Sequence, residues 1–115
     1  MMWFLLACSN QPPQLLAIDG FDVPRAGRFV TLDVEVDHPQ SFAFEAVDPD
    51  GDLVVFWWLR LPFAWSPVEQ GLHFDGTAEV GEATATLILE GREPGAPASQ
   101  DGNVYTVYEL ILRVF

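Results

Sequence analysis

The chain has no lysine, one cysteine, two histidines and no apolar run long enough to cross a bilayer. Each shortage removes a class of protein. Its cations are 5 arginines against 17 acidic residues, giving a formal net charge of -12. A nucleic-acid binder must neutralise phosphates with basic groups, and this surface repels them. The same charge disfavours direct adsorption to anionic lipid headgroups. A lone thiol, Cys8, excludes an internal disulfide and a four-cysteine zinc framework. Residues 1–7 and 53–59 are apolar, but a spanning helix takes about 20 residues. His38 and His73 fall in no H-E-x-x-H or G-x-S-x-G pattern, and no glycine-rich phosphate loop is present. The expectation is a non-enzyme, with a hydrolase of unrecognised site as a remote alternative.

At 115 residues the chain has room for one domain, large enough to bury a core without covalent staples. No window sustains a 3.6-residue apolar period. Short runs alternate with period two instead, and most of the nine glycines and nine prolines fall between them. The alternation predicts strands at 14–19, 28–36, 41–47, 53–59, 71–75, 83–89 and 104–115. In the second, Val30, Leu32, Val34 and Val36 share one face, with Thr31, Asp33 and Glu35 on the other. Residues 90–103 read as a long Gly/Pro/Ser loop. The predicted fold is an all-β antiparallel sandwich of about seven strands.

Val47-Asp48-Pro49-Asp50-Gly51-Asp52 leads directly into a strand carrying Val54, Phe56 and Trp58 on alternate positions. Pro49 presets φ for a turn, Gly51 supplies φ > 0, and aspartates bond back to nearby amides. This turn and strand resemble the B–C region of bacterial immunoglobulin-like modules of the cadherin-like and polycystic-kidney-disease type. The likeness covers mainly residues 42–58. It implies an immunoglobulin-like sandwich over 15–115, with Val54, Phe56 and Trp58 in the core and Trp58 as the counterpart of the buried strand-C tryptophan. Asp101 and Tyr105, four apart, resemble the tyrosine corner of such domains, although Gly102 is displaced by one. If 104–115 is the penultimate strand, a closing strand is missing; the preferred assignment makes it the closing strand.

Asp48, Asp50 and Asp52 offer the hard oxygen ligands that calcium takes. They do not make an EF-hand: its glycine would fall at Leu53 and its bidentate glutamate at Leu59. A calcium site therefore needs a further ligand, such as Asp101 or the N-terminal segment. The plainer alternative is a solvated turn.

The opposite face of the same strand, Leu53, Val55, Trp57 and Leu59, is also apolar, where a one-sided sandwich strand alternates with polar residues. Local burial under the Leu61-Pro62-Phe63-Ala64-Trp65 loop is the preferred expectation, with the first strand, residues 15–18, as another candidate cover. Left uncovered, the face marks a protein partner surface. Trp57 and Trp65 are then candidates to stack on sugar rings, which makes a carbohydrate-binding module the alternative function.

Leu5-Leu6-Ala7-Cys8 resembles the lipobox of bacterial lipoproteins, in which the chain is cut before the cysteine and the cysteine is acylated. Residues 1–8 then read as a truncated signal and 9–14 as a tether. The basic start of such a signal is not within 1–7, and an in-frame extension ahead of Met1 would supply it. The alternative is a short buried strand with an inert cysteine. Ser9 after the cysteine is compatible, by resemblance, with the outer membrane. The combined expectation is a binding or structural module of the cell envelope, meeting the membrane only through its lipid anchor.

Overall fold

The computed structural model describes residues 11–23, 28–92 and 104–115. Residues 1–10, with Cys8, and residues 93–103, with Asp101, lie outside them, as do residues 24–27. The described residues form nine strands and no helix: β1 Gln14–Ile18, β2 Phe21–Asp22, β3 Phe29–Val34, β4 Gln40–Val47, β5 Leu53–Leu59, β6 Trp65–Val68, β7 Gly71–Phe74, β8 Gly81–Arg92 and β9 Val104–Val114. They form two sheets, ordered β2-β1-β4-β7-β6 and β3-β9-β8-β5. The orders β1-β4-β7-β6 and β5-β8-β9 are the ABED and CFG orders of immunoglobulin sandwiches. β9 is thus the closing strand.

Three expectations are corrected. The strand count among the described residues is nine, because β2 and β6 are strands beyond the seven that the alternation predicts. The sandwich is not wholly antiparallel, since β3 runs parallel to β9 from Phe29↔Glu109 to Val34↔Val114. Tyr105 is no tyrosine corner: it lies on the closing strand and is 43% exposed.

Local chemistry sets the connections. Asp19 and Gly20 have φ of 52° and 84°, and they join Ile18 to its partner Phe21. Two residues at positive φ match the right-handed strand twist, which is why Asp-Gly suits this place. Gly71 faces the carbonyl oxygen of Phe42, and a Cβ there would collide with backbone.

The core lies between the sheets. Leu72 and Phe74 of β7 meet Leu87 and Leu89 of β8 and Leu110 and Leu112 of β9, all essentially inaccessible. Trp65 sits between Phe42 and Phe74, with ring centroids at 6.3 and 4.9 Å. Val54, Phe56 and Trp58 face inward as the alternation predicts. They are half-buried and pack on the core from the side, because β5 is the last strand of its sheet.

Two hydroxyls from β9 cross the sandwich to the backbone around β1. Thr106 Oγ1 donates to Pro13 O at 2.6 Å, and the Leu15 amide donates to the Tyr108 hydroxyl at 3.0 Å. The register of β1 on β4 shifts between Leu15 and Ala17. A bulge leaves backbone groups outside the ladder; the Tyr108 hydroxyl satisfies the Leu15 amide beside it, and Thr106 satisfies the Pro13 carbonyl just before β1. Tyr108→Phe leaves the Leu15 amide buried and unpaired, so it is expected to lower unfolding free energy by about 1–3 kcal/mol. Urea denaturation measures this; an unchanged midpoint would show that the bond adds nothing.

Candidate functional site

The aspartate turn joins β4 to β5. Asp48 follows the last residue of β4 and is only 4% exposed. Its Oδ1 accepts from the Asp50 amide at 2.8 Å, and its carbonyl accepts from the Gly51 amide at 2.9 Å. Asp50 Oδ2 accepts from the Gln11 amide at 2.6 Å, which ties the incoming chain to the turn. Asp48 Oδ2 has no hydrogen-bond partner. It rests over the α-carbon of Gly91 in β8, where any Cβ would collide with it.

One carboxylate oxygen from each of Asp48, Asp50 and Asp52 lies within 4.8 Å of the others. Oxygens sharing a calcium at about 2.4 Å stand at most about 4.8 Å apart, so the cluster could hold a metal ion. Burial pushes the Asp48 carboxyl above its ordinary range; the Asp50 amide opposes this, and the charges of Asp52 and Asp50 add to the rise. An unpartnered buried carboxylate oxygen beside two more carboxylates is what a cation would neutralise.

The second feature is the outer face of β5. Leu53, Trp57 and Leu59 are 56%, 40% and 46% exposed, and Val107 of β9 extends the patch. The expected lid is corrected. After Arg60 the chain crosses to the other sheet, so residues 61–65 do not cover this face and Phe63 is exposed. Trp65 is likewise corrected as a ligand-surface residue. Its side chain is buried at 6% exposure, so among the described residues Trp57 has no second exposed tryptophan for a sugar platform.

Pattern reading missed Glu90 and Arg92. Glu90 is wholly buried on the outer side of β8; its Oε1 accepts from Trp57 Nε1 at 2.8 Å and pairs with Arg92 at 3.1 Å. The signal was present: a lone glutamate ends the apolar run Leu87-Ile88-Leu89, and a buried charge requires partners.

The histidines are surface groups. His73 Nδ1 lies 2.7 Å from Ser41 Oγ, its cross-strand neighbour. His38 Nδ1 bonds the Val36 carbonyl at 2.9 Å, with Glu35 at 3.6 Å.

Comparison of the chain with family models, with curated proteins and with solved structures gives no match.

The turn makes a signed pH prediction. A carboxyl whose folded pKa is raised favours folding in its acid form. That contribution is fully present below the unfolded value of 3.8 and is lost as pH rises through the raised folded value. In chelator, Asp48→Asn should therefore melt higher than the parent chain at pH 7. The gap should close below about pH 4, where both side chains are neutral. Asp75 shifts the other way, held down by two bonds from Thr77. Its share is present above 3.8 and lost as pH falls, and it cancels when the two melting curves are subtracted. A gap that widens toward acid pH would contradict the assignment.

Proposed function

We propose that the chain is a non-catalytic interaction module of a bacterial cell envelope. In this reading it is an immunoglobulin-like sandwich of the cadherin-like kind, anchored through an acylated Cys8 and rigidified by calcium at the aspartate turn. The observation that carries the interaction role is the outer face of β5, where Leu53, Trp57 and Leu59 stand in water. Apolar side chains gathered on one sheet face of a strongly acidic chain support a docking role, because scattered exposed residues would not form such a patch.

The calcium reading rests on Asp48 Oδ2, buried and unpartnered beside two further carboxylates. Asp48, Asp50 and Asp52 would hold the ion. Calcium takes six to eight oxygens, so water or backbone carbonyls would complete the shell. The ion would supply charge compensation and fix the turn between β4 and β5.

Two measurements test these parts separately. Calcium at about 100 times its Kd adds about 2.7 kcal/mol of stability. The melting midpoint should rise by several degrees over chelator, and Asp48→Asn should abolish the rise. Superimposed curves in millimolar calcium and in chelator would remove the metal. Radiolabelled fatty acid should enter the protein in a bacterial host and be lost in Cys8→Ala; no label in the parent chain would remove the anchor.

A further inference from the structure

A sandwich of this kind has four sheet edges, here β2, β6, β3 and β5. Natural edges are blunted by shortness, proline, charge or bulges, because an unblunted edge recruits another strand. β2 has two residues, β6 contains Pro67, and β3 carries Asp33. β5, Leu-Val-Val-Phe-Trp-Trp-Leu, has none of these devices. Its register on β8 runs without a break from Leu53↔Arg92 to Leu59↔Thr86. Among the described residues no strand pairs with its far side. Its inward residues Val54, Phe56 and Trp58 are only half-buried. A cavity of about 340 Å³, lined by Val54, Phe56, Asp48, Asp52 and Gln70, opens beside it.

The charges flanking β5 select the occupant. A chain of net charge -12 repels copies of itself. β5 is a neutral stripe with Asp52 immediately before it and Arg60 immediately after. Both lie four residues from Phe56. Arg60 is exposed and makes no ion pair among the described residues. Antiparallel pairing of β5 with a second β5 about a two-fold axis at Phe56 therefore brings the Asp52 end of each copy beside the Arg60 end of the other, just beyond the ladder, where Arg60 at φ 59° turns the chain off the strand. The same register sets Leu53 against Leu59, Val54 against Trp58 and Val55 against Trp57. We infer that this edge is a homodimer interface: two copies join β5 to β5 in the register centred on Phe56, merging their four-stranded sheets into one. Unlike the docking role of the outer face, this contact uses the strand's edge and leaves the face open.

Sedimentation of the full chain in reductant and chelator tests it. The parent chain should show a concentration-dependent dimer. Arg60→Asp replaces two attractions by two repulsions and should weaken the dimer about tenfold. Adding Asp52→Arg to that variant should restore it, since both pairs re-form with reversed sign. Crosslinking fixes the register in a Cys8→Ser background. Leu53→Cys and Leu59→Cys should form an intermolecular disulfide when the two proteins are mixed. Neither should do so alone, because like positions lie about 20 Å apart along the strand. A monomer at all concentrations overturns the proposal. So does a dimer indifferent to Arg60→Asp, or a disulfide formed by either single variant alone, since each places the contact elsewhere.

Discussion

Phe44 of β4 meets Trp58 at 5.4 Å and Phe56 at 6.5 Å between ring centroids, both edge-on. These contacts hold β5 against the opposite sheet and decide which way each of its side chains points. A strand has period two, so Trp58 and Phe56 cannot face Phe44 unless Leu53, Val55, Trp57 and Leu59 face away. A slip by one residue would bury Trp57 and expose Trp58. It would also strip Glu90 of its indole donor and leave a buried carboxylate with one fewer partner. Edge-on aromatic pairs are worth about 0.5–1.5 kcal/mol each beyond area burial. The cost of mispairing Glu90 adds to that preference.

The aspartate turn belongs to the same construction. Asp48 is buried because β4 ends against β8, where Gly91 leaves room for its carboxylate. Gly91 faces Val54 in the ladder, so the acidic turn and the first inward residue of β5 share one strand of support. Asp50 also receives the Gln11 amide, which brings the incoming chain to this end of the sandwich. Whatever neutralises the turn therefore acts on the start of β5 and on the entering chain together. Electrostatics and strand placement are coupled there through Asp48.

Much of the sandwich was legible because it is written locally. Period-two alternation located seven of the nine strands among the described residues, and the placement of β5 at 53–59 was reproduced without change. Asp19-Gly20 and the aspartate turn were legible for the same reason, since turn chemistry depends on adjacent residues. What was not legible depends on distant ones. Residues 61–65 read as a loop folding over β5, yet residues 61–68 carry the chain between sheets and deliver Trp65 onto Phe42 and Phe74. The parallel union of β3 with β9 joins segments some eighty residues apart and leaves no local mark. An apolar strand reads as a sheet interior wherever it lies, so the edge position of β5 was hidden in a sequence that suits a central strand. The three-aspartate cluster was found from spacing, whereas its strongest feature, the unpartnered Asp48 oxygen, exists only because β8 packs against it.

The orientation of β5 is tested most directly by hydroxyl-radical footprinting of the folded chain, read at single residues by mass spectrometry. Exposure should order the three described tryptophans, with Trp57 oxidised faster than half-buried Trp58 and Trp65 slowest of the three. Trp58 reacting faster than Trp57, or Trp65 reacting as fast as Trp57, would contradict the packing on which the aspartate turn, the open face and the strand edge all depend.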